Sequence, residues 1–366
     1  MRQFSFGISV YGDGGEQQTQ AYLARACELG CGEVFSSLHL PELGLQRSLA
    51  TALTLARQTH ALGMQFSLDV SGAAAARLLA QEESAAQLRA AAPDWMRLDY
   101  GFDPADALRL AHALALPGLM LNASVLTAQE AAAQCALLRR EAPDLRLRAH
   151  HNFYPLPGSG LSMGLLRERS GAWRTLDVPV TACVAAHAAP RLPLCAGLPT
   201  VEALRDLPSG PAALQLLATG VVDDILIGDP FASEQELVGT ALACGRQPVC
   251  LGVVCEKQAT PEERRIVFAA SHRARPDAAA LVVRCLDTRQ MATPGAPLSA
   301  RPCGARRRGD VVLCNENALR YSGELQVQLA DAPSSPLFNR VGRVAEEELW
   351  QLDLIGPGTS FALVPR

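Results

Sequence analysis

The sequence predicts an α/β protein, a (β/α)₈ TIM barrel over residues 1–245 followed by a small β-rich domain over 248–366. Three observations predict it. Eight short apolar, β-branched or aromatic runs alternate with alanine- and leucine-rich stretches of helical spacing, in a span close to the ~250 residues typical of such a barrel. After CGRQPV, residues 244–249, the helical stretches stop and short strands follow, separated by Pro, Gly, Asp and Asn clusters. No GxGxxG follows the first strand, which argues against the rival doubly wound dinucleotide fold.

In chain order the barrel strands are FSFGISV (4–10), EVFSSL (33–38), MQFSLDV (64–70), WMRLDY (95–100), LMLNAS (119–124), LRLRAH (145–150), VPVTACV (178–184) and DDILIGD (223–229). Between them, TQAYLARACELG and SLATALTLARQTHALG carry helical periodicity, the second with Leu49, Leu53, Ala56 and Leu62 on one face. Gly30 and Gly63 close these helices, where the chain needs a residue that tolerates positive φ. Ser233 stands three residues before Glu236, a capping box that starts a helix after the eighth strand. The second domain is expected to use the strands VCLGVVCE, RRIVFA, LVVRCL, DVVLCN, GELQVQLA, VGRVAEEELWQLDLI and SFALV.

Composition removes several function classes. The 366 residues are 49% hydrophobic and 19% charged with a net charge of -4, so no basic footprint points to nucleic acid or an anionic membrane. The start, MRQFSFGISVYGDGG, lacks the charged, apolar and small-residue succession of a signal peptide. No apolar run reaches the ~18 residues of a membrane span, and a soluble, cytoplasmic protein is expected. The 11 cysteines are odd in number, scattered and without a CxxC pair, which reads as small buried hydrophobes rather than a disulfide or zinc framework. Lys257 is the only lysine. The first 256 residues therefore hold no amine for Schiff-base chemistry, and no cofactor or metal is assigned.

Barrel chemistry sits at the C-terminal ends of the strands. Those ends supply Tyr11 and Asp13, Ser36 and Ser37, Asp69, Asp99, Asn122, the segment HHNFYP (150–155) and Asp229. Alternation places Trp95, Arg97 and Asp99 on one face, so that Arg97 can hold Asp99 ionised. His151, Asn152 and Tyr154 offer donors, acceptors and a stacking face, the set a sugar ring requires. The glycine-rich loop PGSGLSMG (157–164) is a candidate phosphate cradle, with the helix start at GDPFASEQEL second.

Together SVYGDGG, RLDYGF, LNAS, HHNFYP with GLS, AGLPTVEALR, LATGVVDDILIGDPFASEQEL, RYSGELQV and NRVGRVAEEE resemble the MupG-like family nearly end to end. That resemblance implies a 6-phospho-N-acetylmuramidase built from a TIM barrel and a C-terminal cyclophilin-like domain. It implies a cytoplasmic glycosidase whose small-molecule partner is a phosphorylated N-acetylmuramyl-N-acetylglucosamine disaccharide of cell-wall recycling. Position by position it carries over Asp99, Asn122, His151, Asn152, Tyr154 and Asp229, with Arg320, Tyr321 and Glu324 in the second domain, of which Arg320 and Glu324 are expected to reach over and close the site.

Glycoside hydrolysis generally takes one protonated carboxyl and one ionised group. Asp99 suits the ionised role, and Asp69 or Asp229 the proton donor. Tyr11, Asp13 and Ser36 join Asn122, His151, Asn152, Tyr154, Arg320 and Glu324 as substrate-binding candidates. Three positions depart from the family's pattern: Leu156 stands where an arginine is expected, Ala196 where a glutamate is expected, and YPE has become Tyr11, Gly12, Asp13. Two other readings follow from the departures and the acids, a degenerate sugar-binding barrel and a barrel sugar isomerase or epimerase. A barrel edge and an exposed β domain both offer surfaces for a homo-oligomer.

Overall fold

The computed structural model describes residues 4–12, 14–38, 44–245, 249–293 and 298–366. They fall into two compact units that part between residues 245 and 249. In the first, eight parallel strands close in sequence order: β1 (Ser5–Ser9), β2 (Glu33–Ser37), β3 (Gln65–Val70), β4 (Trp95–Leu98), β5 (Gly118–Asn122), β6 (Arg146–His150), β7 (Val180–Val184) and β8 (Asp224–Pro230). β8 pairs with β1 to complete the barrel. Each strand lies inside, or within one residue of, the run that predicted it.

The helices outside the barrel are α1 (Glu16–Glu28), α2 (Leu45–Ala61), α3 (Gly72–Leu79), α4 (Glu82–Ala91), α5 (Pro104–Leu114), α6 (Ala128–Glu141), α7 (Met163–Thr175), α8 (Ser209–Ala218) and α9 (Glu234–Ala243). Side chains cap their starts: Asp103 with Asp106 on α5, Thr127 with Glu130 on α6, and Ser233 with Glu236 on α9 form reciprocal capping boxes. Gly30 and Gly63, at φ +88° and +72°, supply the left-handed residues that end α1 and α2.

The barrel interior is layered. Near the N-terminal ends, Arg148 pairs with Glu33, Ser67 Oγ donates to Glu33 Oε1 at 2.7 Å, and Arg146 and Arg148 stack on Trp95 at 4.5 and 4.3 Å. Burial pushes Asp224 in this layer up to about 6. Above it, Tyr11, Phe35, Cys183, Leu198 and Leu226 form an apolar plug, with Phe153 packed against it. Conserving stability at the bottom and chemistry at the top is the usual division of labour in this architecture.

The second unit is a seven-stranded sheet of order β10-β15-β9-β14-β12-β13-β11, with β9 (Val249–Cys255), β10 (His272–Arg273), β11 (Val282–Arg284), β12 (Asp310–Cys314), β13 (Leu325–Gln328), β14 (Phe338–Val344) and β15 (Ser360–Pro365). Two expectations fail here. RRIVFA is not a strand: Pro261–Val267 is a helix, α10, because Thr260 and Glu263 form a capping box and Pro261 occupies its first turn. VGRVAEEELWQLDLI is a strand only to Val344, and Glu346–Leu354 winds into 3₁₀ turns. Seven of the 11 cysteines are buried and all are free thiols. Among the described residues no helix is long and apolar enough to cross a membrane.

Candidate active site

Strand alternation selects what enters the mouth. Phe35 of β2 meets His150 and Phe153 in the interior, at 5.4 and 6.5 Å between ring centroids. Glu33, Phe35 and Ser37 therefore face inward, and Ser36 faces the helices. Ser36, 2% exposed, is on the wrong face to touch a substrate, and Ser37 takes the inward position.

The same alternation puts Asp69, Arg97, Asn122 and, two residues beyond His150, Asn152 at the top of the interior. A glycine contact holds β3 beside the β4–α5 loop: Gly72 N–H donates to the Tyr100 carbonyl at 2.8 Å, and a Cβ at Gly72 would sit 1.9 Å from the Gly101 oxygen. Arg97, 3% exposed, donates from Nη1 to Asp69 Oδ1 at 2.6 Å and to Asp99 Oδ1 at 3.1 Å, and from Nη2 to Asn152 Oδ1. Asn122 Nδ2 donates to Asn152 Oδ1 at 2.8 Å and to the Asp99 carboxylate at 3.4 Å. Burial pulls the Arg97 pKa down, but the Asp69 and Asp99 carboxylates outweigh it and hold the guanidinium above the usual arginine range. The Asp99 side chain is 20% exposed against 4% for Asp69. Asp99 is thus the carboxylate of the network that meets solvent.

The two histidines of HHNFYP part company. His150 points into the barrel, its Nε2 3.5 Å from Cys183 Sγ, and burial holds its pKa well below the usual imidazole value. His151, expected to grip substrate, points away: its Nδ1 lies 3.0 Å from Ser124 Oγ and its Nε2 2.9 Å from Ser170 Oγ on α7, with 0% of the residue exposed. Burial, then the charge of Arg97, push it down to about 3, so it is neutral. Its effect on the mouth is indirect. Ser124 Oγ also accepts the Asn152 amide N–H at 2.9 Å, and Ser124 N–H donates to Asn122 Oδ1 at 3.0 Å, so His151 braces the residues that hold both amides. Tyr154 is half-buried, with its backbone N–H on the Pro199 carbonyl at 2.9 Å.

Two further candidates are withdrawn from solvent. Asp229 is 0% exposed, and its carboxylate accepts three backbone amides, Ala186 and Arg191 at 3.0 Å and Leu198 at 2.9 Å. Burial raises its pKa against those amides. Its structural task is to staple the β7–α8 loop, a role that period-2 reading of one strand cannot anticipate. Tyr11 is 1% exposed, and its hydroxyl donates to the Gly228 carbonyl at 2.9 Å. It belongs to the apolar plug. Asp13 lies outside the described residues.

Both candidate phosphate cradles are filled by the chain itself. Gly158 and Gly160 N–H each donate at 2.7 Å to Glu202, which Arg205 pairs at 2.7 Å. These contacts, Arg205 first, pull the Glu202 carboxyl down to about 2. At the start of α9, Glu236 accepts the Ser233 and His187 amides. In the second unit, Glu324 is 2% exposed and takes both Nε and Nη2 of Arg284, at 2.9 and 3.0 Å. Arg320 lies on the surface, its Nη2 2.9 Å from the hydroxyl of Tyr321. Among the described residues no group of three His, Cys, Asp or Glu side chains is placed to hold a metal ion.

Sequence reading named Arg97 only as a partner of Asp99 and missed Ser124, Ser170 and Arg205. Ser124 stands in the LNAS motif, which is the signal that could have found it.

The whole chain has close structural counterparts. An uncharacterised B. cereus protein of known crystal structure is 28% identical over 100% of both chains, with a TM-score of 0.71. A conserved Enterococcus faecalis protein of unknown function is 29% identical over 99% of this chain and 96% of that one, with a TM-score of 0.74. No curated protein matches. The family model for the N-terminal part of 6-phospho-N-acetylmuramidase matches residues 6–241 and the model for its C-terminal part matches residues 249–364, and the chain therefore belongs to the 6-phospho-N-acetylmuramidase family.

Proposed function

We propose that this protein is a cytoplasmic glycosidase that hydrolyses a 6-phosphorylated N-acetylmuramyl-N-acetylglucosamine disaccharide during cell-wall recycling. The observation that carries the reading is the Arg97 network at the C-terminal face of the barrel, where one partly exposed carboxylate is backed by a buried guanidinium and a second carboxylate. Cleaving a glycosidic bond builds positive charge at the anomeric carbon. Asp99, paired with Arg97 and oriented by Asn122, is the group to stabilise that charge, and Asp69 positions Arg97 from below. Asn152 and Tyr154, both half-buried at the mouth, bind the sugar's hydroxyls and ring face.

The test incubates pure protein with the disaccharide, with and without the 6-phosphate, and follows products by mass spectrometry. Cleavage that Asp99→Asn abolishes supports the reading. Absence of cleavage of either form by the wild type, with Asp99→Asn indistinguishable from it, refutes the reading, and ligand binding without turnover would favour the sugar-binding alternative.

A further inference from the structure

The β7–α8 loop carries an arginine that the network above does not use. Arg191 lies with its Cζ 4.1 Å from the centre of the Tyr11 ring, at the C-terminal end of β1. Stacking on a ring face leaves the in-plane N–H donors of a guanidinium clear of the ring. No hydrogen bond or ion pair of that guanidinium occurs among the described residues, although the residue is half-buried. In-plane donors left unused among the described residues are suited to a charge-assisted, bidentate contact with an anion.

Its backbone, by contrast, is fixed. Asp229 accepts the amides of Ala186, Arg191 and Leu198, pinning at three points the part of the loop between β7 and Leu198. The β7–α8 loop is also tied to the loop that carries Leu156. Arg205 donates from Nη2 to the Tyr154 and Leu156 carbonyls at 2.9 and 3.3 Å, and from Nη1 to the Ala196 and Gly197 carbonyls at 3.0 and 3.1 Å. One buried guanidinium thus clamps the β6–α7 loop at Leu156 beside the loop that carries Arg191. The glycine-rich loop and the α9 start are closed to an anion by Glu202 and Glu236. In barrels of this kind phosphate sites frequently form on the loops after strands 7 and 8.

We propose that Arg191 binds an oxyanion of the sugar substrate, replacing from the β7–α8 loop the arginine that the chain lacks at position 156. This deepens the glycosidase reading and rests on it for the identity of the sugar. Two oxyanions on the substrate fit the same chemistry, the 6-phosphate and the lactyl carboxylate.

The test measures binding apart from turnover. Wild type, Arg191→Met and Arg191→Lys are titrated by calorimetry with N-acetylglucosamine 6-phosphate, N-acetylmuramic acid and N-acetylglucosamine. Arg191→Met keeps the stem over Tyr11 and removes the charge; an unchanged melting temperature checks its fold. The expected result is a loss of roughly ten- to a hundred-fold in affinity for one anionic sugar in Arg191→Met, with N-acetylglucosamine unaffected. Arg191→Lys should recover only part of the loss. A loss confined to the 6-phosphate sugar assigns the phosphate; a loss confined to N-acetylmuramic acid assigns the carboxylate. Equal affinities in wild type and Arg191→Met, or no preference of the wild type for either anionic sugar, overturn the proposal. A protein that binds through Arg191 but cleaves no disaccharide would refute the glycosidase reading alone.

Discussion

Replacing Arg97 by methionine removes one guanidinium from two carboxylates and an amide. The side chain is 3% exposed and meets Asp69 at 2.6 Å, Asp99 at 3.1 Å and Asn152. Removing one member of a buried ion pair costs about 3–5 kcal/mol, because the carboxylate left in the barrel loses its compensation but not its desolvation. At roughly 2–4 °C per kcal/mol for a domain of this size, the melting temperature should fall by about 6–20 °C. The assay is thermal and urea unfolding of Arg97→Met, Asp69→Asn and the double variant. Asp69→Asn neutralises the buried partner, so the double variant should lose less than the two single losses added together, with a coupling of about 1–3 kcal/mol. Strictly additive losses, or a cost below about 1 kcal/mol for Arg97→Met, would refute the claim that one guanidinium neutralises this site.

Four other outcomes follow from the geometry. Asp99→Asn should lower kcat by about a hundred-fold or more while leaving the melting temperature within about 2 °C, since its side chain is the partly exposed member of the network; steady-state kinetics and a melting curve check both. Ser36→Ala should leave KM unchanged and Ser37→Ala should alter it, because only the second faces the barrel interior; a KM change in Ser36→Ala alone would reverse the assignment. His151, held down to about 3 by burial, regains its ordinary value of 6.5 on unfolding. The unfolded chain then binds the extra proton, so stability falls as pH drops below 6.5 and levels off below about 3, and a His151→Gln variant should show a flatter curve of melting temperature against pH across that window. Gly72→Ala would drive a methyl carbon to 1.9 Å from the Gly101 carbonyl oxygen, so it should destabilise the barrel by more than about 1 kcal/mol and lower activity, measured by urea unfolding alongside turnover.

The eight barrel strands were legible because each is a short apolar run bounded by turn residues, and burial on both faces leaves little freedom in where such a run pairs. RRIVFA was misread for the complementary reason. Its β-branched residues look like a strand, but the local capping box at Thr260 and Glu263 with Pro261 decides for helix. Within the site, period-2 alternation sets His150 and His151 on opposite faces of β6, as it sets Arg97 and Asp99 on one face of β4. Grouping His151 with Asn152 and Tyr154 as substrate-binding residues overrode that signal, and the structure restores it by sending His151 to Ser170 and Asn152 to Arg97.

The amino-acid sequence by itself determined the barrel, its strands, the change to a β-rich domain and the side of the barrel on which the acids gather, because periodicity and turn chemistry are local. Only the tertiary structure decided which acids share a counter-ion and which are consumed by backbone. Asp69 and Asp99 lie 30 residues apart and meet on one guanidinium, whereas Asp229, an equally promising carboxylate in the chain, spends both oxygens on amides from a loop 31 to 43 residues earlier. The physical reason is that hydrogen-bond satisfaction in a buried mouth is a contest among all eight strand ends at once, and no single strand's pattern contains its outcome.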